Sequence, residues 1–312
     1  MTNIICGVDV SADALDARIG QASAYQRFAN SHEGVAELAA FCQHHRVDLV
    51  VMEATGGYEQ RPFALLWAHG LACAIVNPRS VRRFAEAMGL LEKTDRIDAG
   101  VIAWYAAVKR ITARQPASQT QQALAAAVTR LRQLTDSRTR ETNQRRLVSD
   151  PTVLASFTAM LGVIAAQIRY LEETIVALIK DDPLWQQLDA TFRTIKGVAD
   201  RTVARVLAEL PEIGTLSSKA ISKLVGCAPI ARDSGRIKGK RAVRGGRADV
   251  RSTLFIVAEV VRRHDPDFAA FHQRLSAAGK PKKVVRTALA HKLLVRLNAK
   301  ARDARNTFAL TA

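Results

Sequence analysis

Four carboxylates stand where phosphodiester chemistry would need them. Asp9 lies inside the short apolar run Gly7-Val8-Asp9-Val10, and Glu53 closes a second apolar run, Val47–Met52. Asp95 and Asp98 follow as Thr94-Asp95-Arg96-Ile97-Asp98, at the start of a stretch with helical spacing. A separation of three on a helix puts both side chains on one face. A carboxylate in or just beyond an apolar strand is costly unless it is paired or bound to metal. Such a set suits two Mg²⁺ ions roughly 3.5–4 Å apart, one activating the attacking oxygen and one stabilising the leaving oxygen. Mn²⁺ accepts the same hard oxygen ligands. Each member also has a plain structural reading. Asp95 fits a helix cap, Asp98 a first-turn residue, Glu53 a solvated strand end and Asp9 a turn.

A second set lies in the loop 232–251, which carries eight Lys/Arg against two acids. Arg232, Arg236, Lys238, Lys240, Arg241, Arg244, Arg247 and Arg251 are expected to meet nucleic-acid phosphates, and Ser234 sits among them. A serine there would have its negative transition state stabilised by the surrounding cations. Taken alone, a Ser-Gly in a basic loop is usually just a turn. Lys280, Lys282 and Lys283 open a further basic stretch: from Phe268 to Arg302 there are nine Lys/Arg and no acid. Ile195-Lys196-Gly197-Val198-Ala199 has the look of a helix-hairpin-helix turn, in which Gly197 would offer backbone N–H groups to a phosphate. A simple turn between two helices accounts for it as well.

The elements that would hold these groups follow from the patterning. A short β-branched run predicts a strand at Ile4–Val10, two strand-like pieces follow around Leu15–Ile19 and Tyr25–Ala29, and apolar runs predict strands at Val47–Met52 and Ala72–Val76. Helical periodicity predicts helices at His32–His45, Arg61–His69 and from about Arg79. Three early strands followed by alternating helix and strand is the element order of an RNase H-like α/β domain. Residues 117–180 lose nearly all glycine and repeat apolar residues at three and four, with one break at Asp150-Pro151. That predicts two long helices in a hairpin or coiled coil. Beyond Asp181 the chain reads as mostly helical apart from the basic loop.

Composition narrows the partners. The 312 residues carry 46 Lys+Arg against 29 Asp+Glu, a formal net charge of +17. The excess is uneven: residues 1–110 sum to −1 and residues 111–312 to +18. Such a balance excludes acidic or disordered classes and favours a polyanionic partner. No apolar run approaches the ~18–20 residues needed to cross a bilayer, so no membrane partner is expected. Cys6, Cys42, Cys73 and Cys227 are isolated in apolar settings, which suggests reduced thiols and a bacterial cytoplasmic setting. No Cys/His spacing suits zinc.

The two constellations together carry a resemblance. Gly7-Val8-Asp9-Val10-Ser11, Glu53-Ala54-Thr55-Gly56-Gly57-Tyr58, Asn77-Pro78 and Lys93-Thr94-Asp95-Arg96-Ile97-Asp98-Ala99 resemble motifs of the DEDD transposases of the insertion-sequence 110 family, relatives of Piv-type DNA invertases. Ile195-Lys196-Gly197-Val198, Gly226-Cys227-Ala228-Pro229 and Asp233-Ser234-Gly235 continue it in family order. The resemblance implies a RuvC-like domain over 1–112 whose Asp9, Glu53, Asp95 and Asp98 are catalytic and bind Mg²⁺ or Mn²⁺. It implies a helical coiled-coil linker over 113–182 and a helical transposase domain over 183–312 with Ser234 as nucleophile. It further implies double-stranded DNA at element ends and target, a structured guide RNA encoded by the element, and a homodimer or tetramer. Ala199 and Gly246-Arg247-Ala248 depart from the family pattern. Two other readings stand beside it: a metal-dependent nuclease or junction resolvase using the four acids with water as nucleophile, and a non-catalytic nucleic-acid-binding protein.

Overall fold

The structure, a computed structural model, describes residues 3–20, 24–90, 92, 94–231, 233–235, 237–239 and 241–311. For Asp95, Arg96, Ile237, Lys238 and Thr311 it describes the backbone only. The chain divides into two compact units, Met1–Ala117 and Ser118–Ala312.

The first unit runs β1 (Ile5–Val10), β2 (Ala14–Ile19), β3 (Tyr25–Ala29), α1 (His32–His44), β4 (Leu49–Glu53), α2 (Gln60–Ala68), β5 (Cys73–Val76), α3 (Pro78–Ala87) and α4 (Asp95–Lys109). Its five strands lie in the order β3-β2-β1-β4-β5. The hairpin strands β1, β2 and β3 pair antiparallel, whereas β1, β4 and β5 pair parallel. This is the RNase H-like arrangement that the element order predicts.

Strand alternation sorts the core into two layers. Cys6, Val8, Val10, Val50 and Met52 share one cluster with Leu38 of α1 and Phe63 and Leu66 of α2. Ile5, Leu49 and Val51 share another with Val81 of α3 and Ile102 and Tyr105 of α4. Counting by twos from Ile5 and from Leu49 places Asp9 and Glu53 on the α3/α4 face.

The second unit contains α5 (Gln119–Arg145), α6 (Pro151–Asp181), α7 (Pro183–Arg193), α8 (Asp200–Glu209), α9 (Ser218–Val225), β6 (Asp233–Ser234), β7 (Ile237–Lys238), α10 (Ala248–His264), α11 (Pro266–Ala277) and α12 (Lys282–Thr311). The turn at 146–150 that separates α5 from α6 is set by sequence. The Asp150 side chain accepts from the Val153 N–H, and Pro151 occupies the first turn, where its missing N–H costs nothing. Leu124, Val128 and Leu131 of α5 and Ile164, Ile168 and Ile175 of α6 join a single core with Trp185, Phe192, Leu254 and Leu289. The long hairpin thus shares its core with the C-terminal helices.

Helix α6 corrects one expectation. Residues 151–168 hold no charged side chain, and α6 is long and apolar enough to cross a membrane by length and composition, with 11% of its most apolar window buried. The sequence reading passed over it because Thr, Ser, Gly and Gln interrupt the run. Its apolar surface is split: an isoleucine stripe enters the core, while Met160, Val163 and Tyr170 are exposed.

Candidate active site

Asp9 and Glu53 sit at the carboxyl ends of the parallel strands β1 and β4. Val8 pairs with Met52, so the next residue on each strand is one of the two acids. Helix α4 supplies the rest. The Thr94 side chain caps it by accepting from the Ile97 N–H at 3.3 Å, so Asp95 is its first residue and not its cap. Helix α4 crosses β1 at Gly7, where the backbones approach too closely for any side chain. One turn away, Asp98 faces the same cleft as Asp9 and Glu53, a space of ≈ 500 Å³. The Asp95 side chain lies outside the described residues.

The sequence reading missed the opposite wall of this cleft. Arg79, Arg82 and Arg83 of α3 line it together with Glu86. Arg82 pairs with Glu86 at 3.3 Å, one helical turn on. Helix α3 is anchored beside the sheet by Asn77, whose side chain accepts from the Arg79 N–H at 2.9 Å, with Pro78 in the first turn. The Asn77-Pro78 motif is thereby explained as a helix start that aims three arginines at three carboxylates.

Two further acids are structural supports. Glu59 is buried, and one of its carboxylate oxygens, Oε2, accepts from the backbone N–H groups of Thr55 and Gly57, both at 2.9 Å. The loop that follows Glu53 is thus closed on a buried carboxylate. Asp16, opposite Asp9 across the β1–β2 pair, is buried and accepts from the Tyr25 hydroxyl at 2.5 Å, with Arg27 at 3.5 Å.

The cleft's donors are all carboxylate oxygens, which fits a hard divalent cation. Among the described residues, no three His, Cys, Asp or Glu side chains stand close enough to hold an ion as a group. The fit therefore lies in donor type and in the shared cleft.

In the second unit, Ser234 is exposed at the end of β6. Strands β6 and β7 pair Asp233 with Lys238 and Ser234 with Ile237, leaving a two-residue turn that begins at Gly235, φ +55°. A left-handed residue at that position matches the twist of a tight hairpin. The reading as a basic loop is thus refined to a hairpin, closed at its base by the Ile230–Ala242 bridge. Arg241 stands 3.6 Å from Asp233. Arg244, Lys280, Lys282 and Lys283 are exposed. Arg232, Arg236 and Lys240 lie outside the described residues, as does the Lys238 side chain.

Three residues expected to meet nucleic acid have defined contacts within the fold. Arg247 makes two hydrogen bonds to the Glu212 carboxylate, at 2.5 and 2.6 Å, and one to the Glu209 carbonyl at 2.9 Å. Arg251 donates to the carbonyls of Val225 at 3.1 Å and Gly245 at 2.5 Å. Arg251 staples the loop's end to the C-terminus of α9, where Gly226 and Gly246 touch backbone to backbone, and Arg247 staples it to the end of α8. Gly197 packs on α10: a Cβ there would lie 3.0 Å from the Val261 nitrogen. Nearby, burial pushes the Cys227 thiol up to about 11, so it stays protonated.

These arrangements meet two independent matches. A family model described as Transposase matches residues 6–148, and one described as Transposase IS116/IS110/IS902 family matches residues 189–273, together well over half of the chain. The chain belongs to the IS110 family of transposases. The pilin gene-inverting proteins of Moraxella lacunata and Moraxella bovis are each 27% identical to this IS110 transposase over 314 residues, 94% of either chain. An uncharacterised IS110 insertion-element protein of Streptomyces coelicolor is 29% identical over 130 residues, covering 41% of this chain and 31% of its own. A Thermus thermophilus RuvC structure overlaps 35% of this chain and 98% of its own, at 14% identity and a TM-score of 0.25. That overlap is too slight to bear on the fold or the chemistry. As a family member the protein is a transposase/recombinase, an enzyme that binds and processes DNA, and its DEDD transposase domain implies use of a divalent metal.

Proposed function

We propose that this IS110 transposase exchanges DNA strands through a covalent serine–DNA intermediate that depends on Mg²⁺ or Mn²⁺, at sites chosen by a structured RNA from its own element. The observation that carries the reading is the cleft in which Asp9, Glu53 and Asp98 face Arg79, Arg82 and Arg83. Carboxylates at the ends of parallel strands beside a wall of guanidinium groups are what a cation-bridged phosphodiester requires. The three working parts are 1–112, 113–182 and 183–312.

Asp9, Glu53, Asp95 and Asp98 hold the cation, which when bound polarises a phosphate oxygen and eases departure of the leaving oxygen. Arg79 and Arg83 orient the phosphate by charge-assisted hydrogen bonds. The exposed Ser234 hydroxyl attacks phosphorus. An Oγ–P bond forms as the P–O bond to the neighbouring sugar breaks, the serine proton passes to water, and the departing sugar oxygen takes one from water. A sugar hydroxyl of a second strand then reverses the step and releases the serine. The number of phosphoester bonds is unchanged throughout, so no external energy source is needed. Arg241, Arg244, Lys280, Lys282 and Lys283 neutralise the strands on either side. The exposed apolar face of α6, with Met160, Val163 and Tyr170, suits assembly into a dimer or tetramer.

The test combines the protein, RNA transcribed from DNA flanking its gene, and donor and target duplexes. Recombinant joints that require Mg²⁺ and Asp9, with a protein–DNA adduct that disappears in Ser234→Ala, are expected. Cleavage that survives Ser234→Ala but not Asp9→Ala would replace this reading with a nuclease that uses water.

A further inference from the structure

At the base of the serine hairpin lies a pocket of ≈ 560 Å³ whose apolar walls no step above uses. Its walls are apolar, formed by Pro229, Val243, Val284 and Ala288. Two cations, Arg241 and Lys283, also line it, and no acid does. It is continuous with the hairpin, since Arg241 and Ala242 belong to both and the Ile230–Ala242 bridge closes the hairpin's base. Ser234 lies four positions beyond Ile230, a span of at most ~13 Å for an extended strand.

The pocket also holds a defined polar group. The Ser222 hydroxyl donates to the Ser218 carbonyl at 2.6 Å, as helical serines do, so its proton is committed there. The contact of Ser222 Oγ with His291 Nε2 at 2.9 Å must then be donated by the imidazole. That fixes the tautomer: Nε2 carries the proton and Nδ1 is the ring's acceptor. Burial lowers the pKa of His291, which keeps the ring neutral near pH 7.

An apolar slot, cations that match a backbone phosphate and one fixed hydrogen-bond acceptor together fit a single nucleotide lifted out of its stack. We infer that the Pro229–Ala288 pocket receives an unstacked nucleotide next to the phosphate that Ser234 attacks, with its base between the apolar walls and a base N–H donated to His291 Nδ1. Its phosphate lies on Arg241 and Lys283. Holding that nucleotide turned out would expose the neighbouring phosphodiester to the serine and fix its register. The inference rests on reading Ser234 as the nucleophile, yet occupancy of the pocket needs no reaction.

The chemistry is shared by a DNA and an RNA nucleotide, so the probe is 2-aminopurine, placed singly across the cleavage site of the DNA and, in a separate arm, across the RNA. Binding is measured with Ser234→Ala protein, so that no adduct forms. Among the described residues no Phe, Tyr or Trp lines the pocket to quench the base, so fluorescence should rise severalfold at one position in one arm. Ala288→Met and Val284→Met, which fill the slot without adding an aromatic ring, should abolish the rise and lower joint formation in the Ser234 protein about tenfold, while duplex affinity and the thermal melt stay as they were. Val284 is 51% exposed, so its variant tests filling from the mouth without burdening the core. A rise in the DNA arm or the RNA arm identifies the strand. No rise in either, or a rise that persists in both filled variants, overturns the inference. Adduct formation by Ser234→Ala would instead overturn the catalytic reading.

Discussion

A Cβ added to Gly7 of β1 would lie 2.0 Å from the carbonyl oxygen of Ala99 in α4, and 2.6 Å from the Ala103 nitrogen. Helix and strand thus meet backbone to backbone at one point, two residues before Asp9 and one residue after Asp98. Gly7→Ala should force α4 off the sheet, costing about 1–3 kcal/mol as overpacking does. Because the displacement falls on the acid cleft, strand exchange should drop far more than stability. Thermal denaturation and joint formation measured on the same preparation test this. Full activity at reduced stability would show that α4 need not touch β1 for the site to form.

Glu59 bears on the same cleft from the other side. Replacing it with Ala leaves the Thr55 and Gly57 N–H groups without their buried acceptor, at about 1–3 kcal/mol. Glu59→Gln keeps one oxygen and should lose less. Amide exchange at Thr55 and Gly57 should accelerate in the order wild type, Gln, Ala. Unchanged exchange in Glu59→Ala would mean the loop is held by something else.

These supports mark what could and could not be read from sequence. Asp9 and Glu53 were legible because an acid inside or at the end of an apolar strand violates the pattern around it, and Asp98 because its spacing of three from Asp95 at a helix start puts both on one face. Strands β1, β4 and β5 were legible as apolar runs bounded by turns, whereas β2 and β3 showed only strand-like pieces between turns. Arg79, Arg82 and Arg83 violate nothing, since arginines on a short helix are ordinary, and only the sheet order shows which cleft they face. Arg247 and Arg251 show the limit of reading charge alone. They stand in a loop dense with cations, and charge density alone cannot distinguish an arginine awaiting phosphate from one already bound to Glu212 or to carbonyls. Helix α6 was overlooked because small polar residues disguise an uncharged run.

The difference between Arg247 and Arg244 can be measured. Arg247→Ala should destabilise the second unit, and the double variant with Glu212→Ala should cost less than the two single changes summed, with a coupling of about 0.5–3 kcal/mol. Arg244→Ala, exposed in the same loop, should leave the melt unchanged. It should instead weaken DNA binding and reduce the slope of log affinity against log salt by about 1. If Arg247→Ala reproduced the Arg244→Ala pattern, the staple would not be its role.

His291 gives the fold a pH dependence whose sign is fixed by burial. In the unfolded chain its imidazole titrates near the ordinary value of 6.5, whereas in the folded protein burial depresses the pKa. Below 6.5 the unfolded chain binds a proton that the folded chain resists. The stability present above that pH is therefore lost progressively as pH falls toward the folded value. Denaturant unfolding between about pH 5 and 7.5 should show the wild type weakening on the acid side of 6.5. His291→Gln retains a donor for Ser222 but cannot take up the proton, so its profile should be flatter over that window, the other histidines being common to both proteins. A variant profile parallel to the wild type would mean that protonated His291 is tolerated in the fold. The ring would then bear a proton on Nδ1 in acid, and its role as an acceptor would be confined to neutral pH.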